Sequence, residues 1–149
     1  VYNMGGIRAA FAKGKVTYGD VVDVAPFENK ICFLTLTGEK VRELFAQIAA
    51  TGGEAVSHGV NLVISKDHKL MDCKLNGMPI DDNKSYRVAT LDYLAQGNDK
   101  LEAFKSGTDV VSPQTQENNV RFIIMNYLRE QKAQNKPVSR EIEGRIVVK

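Results

Sequence analysis

An α+β fold, mixed sheets with packed helices in a single domain over residues 1–149, is predicted by three features of the sequence. β-rich and helical runs both occur, but not in the regular strand–helix–strand alternation that a doubly wound parallel sheet requires. Asn76-Gly77 stands between alternating segments, and this dipeptide suits the two left-handed central residues of a type I′ hairpin turn. A chain of 149 residues can bury roughly 68–70% of its unfolded surface, enough for one core.

The elements follow in order. Residues 3–8, Asn-Met-Gly-Gly-Ile-Arg, read as a glycine-bearing turn just after the end of a strand. Thr17 is placed to N-cap a short helix over Tyr18–Asp23, which Pro26 stops. Lys30–Thr37 is β-rich and mostly apolar, so a largely buried strand is predicted. Val41, Leu44, Phe45, Ile48 and Ala49 recur at helical spacing, and Gly52-Gly53 ends that helix. Strands at 60–65 and 69–75 flank the polar turn Lys66–His68, and the Asn76-Gly77 turn leads into Met78-Pro79-Ile80. Within Ser85–Thr90, Tyr86, Val88 and Thr90 share one face. Asp92–Lys100 reads as a loop. A long helix is expected from about Gln116 to Gln134, with Val120, Ile123, Ile124, Tyr127 and Leu128 as its core stripe, followed by a closing strand over Gly144–Val148.

The balance of charge excludes some partners. The net charge is +2, with basic and acidic residues interspersed; no basic stripe accompanies aromatic clusters, so broad nucleic-acid binding is not supported. The longest apolar runs fall far short of the ~20 residues of a membrane span. The chain begins at Val1 rather than Met, which reads as processing or truncation, so the lack of a visible signal peptide leaves the compartment open. Cys32 shares its strand parity with Leu34 and Leu36, and Cys73 with Met71 and Leu75; both read as buried, inert thiols.

No catalytic residue and no metal ligand is assigned to this chain. His58 and His68 are the two histidines, without HxH, DxH or HExxH spacing, and a two-metal hydrolytic site needs several convergent ligands to hold ions about 3.5–4 Å apart. Both histidines read as surface residues near turns. A cysteine nucleophile would need a basic group to lower its pKa, whereas both cysteines sit in apolar strand patterns, and no GxSxG or P-loop occurs. What remains suits holding a ligand. Gly5 and Gly6 permit close backbone approach or positive φ, and Arg8 offers a planar guanidinium for an anion; a tight turn with a surface arginine is the alternative. Phe27 follows Pro26 and is flanked by Glu28 and Asn29, which makes it either a core ring or an exposed stacking platform. Tyr93, Gly97 and Asp99 come directly after an alternating strand, a common place for ligand-binding groups.

Six segments carry a resemblance. They are Asn3-Met4-Gly5-Gly6-Ile7-Arg8, Val24-Ala25-Pro26-Phe27-Glu28-Asn29, Leu36-Thr37-Gly38, Asn76-Gly77-Met78-Pro79-Ile80-Asp81, Tyr86-Arg87-Val88-Ala89-Thr90 running on to Asp99, and Glu143-Gly144-Arg145-Ile146. In this order they resemble the NGGGIR, LPFGN, LTG, GxPID, YrVATndFLAxGGDG and EGRI motifs of the 5′-nucleotidase C-terminal domain family, over almost the entire chain. The resemblance implies that Phe27 and Tyr93 stack on the two faces of a nucleobase, that Arg8 meets the anionic part of a nucleotide, that Asn3 helps orient it, and that Asp99 accepts hydrogen bonds from ribose hydroxyls. It places the two rings partly exposed across a cleft beside Asn3–Arg8, about 7 Å apart, or twice the ~3.5 Å contact distance.

The departures are specific. Met4 stands where the family has a glycine, Asn98 and Lys100 replace the glycines flanking the acid, and Tyr93 replaces a phenylalanine. A further family arginine is expected upstream of Val1. The resemblance also implies a partner, an N-terminal-type metallophosphatase domain, in cis or as a separate chain, carrying a divalent metal pair of the Mn, Zn or Co type. That domain would hydrolyse a nucleoside 5′-phosphate that this one grips; relatives also cleave UDP-sugars or 2′,3′-cyclic nucleotides. The alternatives are a stand-alone nucleoside binder and a degenerate, non-catalytic domain. Periplasmic or cell-surface location is the family expectation.

Overall fold

Two antiparallel-dominated sheets share one helix as their common filling, in a computed structural model that describes residues 1–149. The first helix, α1 (Tyr18–Val24), carries a capping box: Thr17 Oγ1 accepts from the Asp20 N–H, and the Asp20 carboxylate accepts from the Thr17 N–H. Strand β1 (Ile31–Thr37) then runs into helix α2 (Gly38–Ala50) with no intervening loop. Gly38 at the junction lies so close to the Asp81 carbonyl that a Cβ would sit 1.8 Å from its oxygen, so no other residue fits without moving that backbone.

The second sheet forms from β2 (Val60–Ile64), β3 (Leu70–Leu75), β4 (Met78–Pro79) and, at the far end of the chain, β7 (Ile146–Val148). Its order is β4-β3-β2-β7, with β7 parallel to β2 and the other pairs antiparallel. Asn76 and Gly77 both take positive φ, 52° and 78°, as a type I′ turn demands. The first sheet is β5-β1-β6, where β5 (Ser85–Leu91) pairs Ile31 with Leu91 through Thr37 with Ser85, and β6 (Thr108–Val111) adds an exposed edge. Helix α2 buries Val41, Leu44, Phe45, Ile48 and Ala49 between β1 and β5 on one side and β3 on the other. Leu34, Leu36, Leu62, Ile64, Leu91, Leu94, Leu101 and Phe104 complete that core.

Three expectations need correction. The segment Asp92–Lys100 is not all loop: α3 (Asp92–Ala95) continues directly from β5 and puts Leu94 into the core. The long helix begins later than expected. A 3₁₀ turn at Gln116–Asn118 precedes α4 (Val120–Ala133), which is N-capped by Asn119. Its expected stripe holds at Val120 and Ile124, which join or pack on the core, but departs at one position, because α4 also packs on α1. Met125 is buried there, while Ile123 is 41% exposed. Before Asn3, Tyr2 pairs with Ala55 in an antiparallel bridge, in keeping with the strand end expected there. Cys32 and Cys73 are both buried and unpaired with each other, and no helix is long and apolar enough to cross a membrane.

Candidate functional site

The N-terminal segment is pinned before it reaches its turn. The Val1 backbone nitrogen donates to the Ala89 carbonyl at 2.8 Å, the Thr90 hydroxyl donates to the Val1 carbonyl at 3.0 Å, and Tyr2 and Ala55 exchange backbone bonds of 2.9 Å. This seats Asn3 against the end of β5, with only 6% of its surface exposed. Asn3 Nδ2 donates to Asp99 Oδ2 at 2.6 Å. A carboxylate can only accept, so this bond fixes which way the amide points. Asn3 Oδ1 is left buried without a partner. Gly6 closes over it: a Cβ there would lie 3.0 Å from both Asn3 Oδ1 and the Tyr2 ring. Neither Gly5 nor Gly6 takes positive φ, so close approach and not left-handed backbone is what the turn needs.

Tyr93 and Asp99 sit on the elements that follow β5. Leu91 and Leu94 are fully buried, which turns the intervening Tyr93 outward, 40% exposed. The Tyr93 hydroxyl donates to Asp99 Oδ1 at 2.7 Å, and Asn98 Nδ2 donates back to the Tyr93 carbonyl at 2.7 Å. Asp99 and Lys100 take left-handed φ of 56° and 64°, whereas Asn98 does not. Two consecutive non-glycine residues in that region cost about 1–3 kcal/mol each. The two bonds to the Asp99 carboxylate offset part of that strain. The hydrogen bond to Asp99 is also the main reason the Tyr93 hydroxyl titrates above its ordinary value.

Phe27 faces the site from a different foundation. It follows α1 in a short loop held by the start of α4. Arg121 Nε donates to the Ala25 carbonyl at 3.1 Å and Nη2 to the Pro26 carbonyl at 2.7 Å, and the Val120 N–H donates to the Asn29 carbonyl at 3.0 Å. The ring is 47% exposed. Arg8 lies over it, guanidinium carbon 5.7 Å from the ring centroid, within cation–π range.

These pieces enclose a cleft of about 320 Å³ lined by Asn3, Gly5, Gly6, Phe27, Asn29, Tyr93 and Asp99. Of the residues singled out from the sequence as substrate-binding, only Arg8 lies outside that lining; its Nη1 turns to the Gly5 carbonyl at 3.3 Å. Sequence reasoning left out Asn29, though it ends the Val24–Asn29 motif, and Arg121, whose partner carbonyls lie 95 and 96 positions away. No three His, Cys, Asp or Glu residues converge as a metal site would require. His58 stands on the surface, 2.8 Å from Glu143 Oε2.

Fold and cleft together define the class of the chain: an α+β domain whose loop ends carry two half-exposed rings and a braced carboxylate around one cleft. The chain belongs to the 5′-nucleotidase C-terminal domain family, whose model matches residues 1–106. Protein UshA of Escherichia coli (strain K12) is 35% identical over 102 residues, covering 66% of this chain and 18% of UshA. Protein UshA of Salmonella pullorum is 31% identical over 142 residues, covering 93% of this chain and 24% of that protein. The chain thus spans about a quarter or less of these curated relatives. Among solved structures, the 5′-nucleotidase precursor from Thermus thermophilus superposes with a TM-score of 0.80 at 25% identity, over 99% of this chain and 30% of that one. The Haemophilus influenzae NAD nucleotidase shares the fold, with a TM-score of 0.69 at 22% identity over 99% of this chain and 29% of its own.

Proposed function

We propose that the chain is the nucleoside-gripping, specificity-setting part of a 5′-nucleotidase. The observation that carries this reading is the convergence on one cleft of Phe27 with Tyr93 and Asp99, which lie together in a segment far along the chain from it. Two aromatic faces favour a flat heterocycle between them, and base–aromatic stacking contributes about 1–3 kcal/mol per base without demanding a particular base. Asp99 offers acceptors for sugar hydroxyls, Asn3 holds that carboxylate, and Arg8, on the Phe27 side, meets the anionic end of the nucleotide. Gly5 and Gly6 let the turn approach the ligand closely.

Hydrolysis of the 5′-phosphate falls to a metallophosphatase domain, in cis or as a separate chain, carrying the divalent metal pair of the Mn, Zn or Co type. No donor set in this chain fits such a pair. The chain's own part is to bind and orient the nucleoside so that the phosphate projects toward that domain. The same reading puts the protein in the periplasm or on the cell surface, which fractionation of the producing cells checks.

Calorimetry of adenosine and AMP against the chain tests the proposal. Phe27→Ala and Tyr93→Ala should each weaken binding by roughly fivefold to a hundredfold, as loss of one stacking face implies. Affinities unchanged by both substitutions would contradict the clamp, and no wild-type binding at millimolar ligand would favour a degenerate domain. The chain alone should not turn over AMP with Mn²⁺, Zn²⁺ or Co²⁺; turnover that survives repurification would overturn the division of labour.

A further inference from the structure

We propose that Ala9–Lys15 forms a strap that closes across the mouth of the cleft and brings Lys13 and Lys15 to the anionic end of the ligand, so that the chain holds a nucleotide more tightly than the nucleoside. The inference rests on the nucleotide reading above and supplies a charge that the cleft itself lacks.

The charge of the cleft poses the problem. Its lining carries one charged side chain, Asp99, and that charge is negative. A nucleoside 5′-phosphate brings a further charge of about −1.5 to −2 near neutral pH. Arg8 offers one cation from above Phe27, and its Nη1 is already turned to the Gly5 carbonyl. The next cations along the chain are Lys13 and Lys15, both exposed and neither in an ion pair.

The segment that carries them is anchored at its two ends and nowhere between. The Arg8 N–H donates to the Val24 carbonyl at 3.0 Å, at the C-terminal end of α1. Thr17 is fixed at the other end of α1 by the capping box. Along the helix from Thr17 to Val24 those anchors lie about 10 Å apart, at ~1.5 Å per residue. The chain from Arg8 to Thr17 extends to about 30 Å, three times what the span requires. From Ala9 to Val16 no backbone group is paired with another, and residues 7–15 are all exposed. Phe11 is 40% exposed, an apolar ring that no core holds. Gly14 turns the chain at φ 118°, where an added Cβ would meet nothing within 4 Å. Surplus length, absent pairing and an unburied ring mark a low-stability segment, the kind from which ligand-closing loops are drawn. It starts at the arginine that stands over Phe27, and Lys13 follows within about 17 Å of chain reach.

Limited trypsin digestion and calorimetry of the full chain test this, with adenosine and AMP as the probes. Saturating AMP should slow cleavage after Lys13 and Lys15 in the wild type by at least about tenfold, since cleavage follows the open population. Adenosine should slow it by less than about threefold. Cleavage after Arg140, in an exposed segment outside the cleft lining, should keep its rate with either ligand. The double substitution Lys13→Gln/Lys15→Gln should weaken AMP about fivefold and leave adenosine within about twofold of wild type. As a control for net charge, Lys66→Gln/Lys69→Gln in the exposed turn between β2 and β3 should move neither affinity by more than about twofold. Four results would overturn the strap and leave the nucleoside reading standing. They are an unchanged cleavage rate under saturating AMP, AMP affinity untouched by Lys13→Gln/Lys15→Gln, an equal loss in the Lys66→Gln/Lys69→Gln control, and loss of adenosine along with AMP in the strap variant. A wild-type chain that binds neither adenosine nor AMP would overturn both readings.

Discussion

Tyr93 emerges between two fully buried leucines on the short helix that continues from strand β5, whereas Phe27 emerges after a proline at the end of a seven-residue helix. The Tyr93 wall is continuous with the main core through β5 and α3. The Phe27 wall hangs from the α1–α4 pair, where Val21 and Met125 are the buried contacts and Arg121 ties the loop down. Local opening free energies in a folded domain range from nearly zero to the global value, lowest where buried apolar contacts are few. One wall of the cleft should therefore be as rigid as the fold, and the other able to yield around a ligand.

The largest expected effect tests the first half of that contrast. Leu94→Ala empties a fully buried site directly behind Tyr93 and should cost about 2–5 kcal/mol in urea-induced unfolding. Val21→Ala, beneath the Phe27 wall, should cost about 1–2 kcal/mol on the scale of ~0.8 kcal/mol per methylene. Equal losses would erase the distinction between the walls.

Arg121→Gln comes next. It removes the guanidinium donors from the Ala25 and Pro26 carbonyls, so adenosine binding should weaken about tenfold while unfolding free energy falls by only about 1–2 kcal/mol. If Arg121 acts through Phe27, the same substitution in a Phe27→Ala background should cost no further affinity. A full additional loss there would show that the arginine supports something else.

How much of this was legible in the sequence divides along the same line. Thr17 as a cap, the α2 face and the Asn76-Gly77 turn are local signals, and the structure carries all three. Phe27, Tyr93, Asn3 and Asp99 were legible through motif resemblance, but the Asn3–Asp99 bond spans 96 positions and no local rule could reveal it. Helix α3 was missed because four residues carry no helical period; burial of Leu94 decides it. β6 was missed because its four residues are all exposed, so nothing in its pattern marks a face. The α4 stripe was legible at Val120 and Ile124 but wrong at Ile123, since several apolar positions compete around that helix and packing on α1 buries Met125 instead. Arg121 looked like any surface arginine at a helix start; its two partner carbonyls exist only in the folded chain.

Two pH effects sharpen the picture further. The Tyr93 hydroxyl titrates above the usual value of 10.0, chiefly through its bond to Asp99. A raised pKa means that this contribution is fully present below about pH 10 and is lost as pH rises through the folded-state value. The difference between the ultraviolet tyrosinate titrations of wild type and Tyr93→Phe should show this late tyrosine; an ordinary midpoint would mean the rigid wall lacks its brace. The smallest effect lies far from the cleft. Glu143 is lowered from 4.5 to about 2 by hydrogen bonds from Arg145 and His58. A depressed carboxylate contributes above about pH 4.5 and loses that contribution as pH falls toward about 2. The group is exposed, so Glu143→Gln should hardly change the melting temperature near neutral pH and should leave adenosine affinity unchanged. A change in affinity would tie this remote cluster to the cleft.

The central claim is that a base lies between Phe27 and Tyr93, and intermolecular nuclear Overhauser effects from the purine ring protons of bound adenosine test it most directly. The account predicts contacts from the same bound base to the ring protons of both residues, with upfield ring-current shifts of the base protons. Contacts to one ring alone, or to neither while adenosine binds, would contradict it.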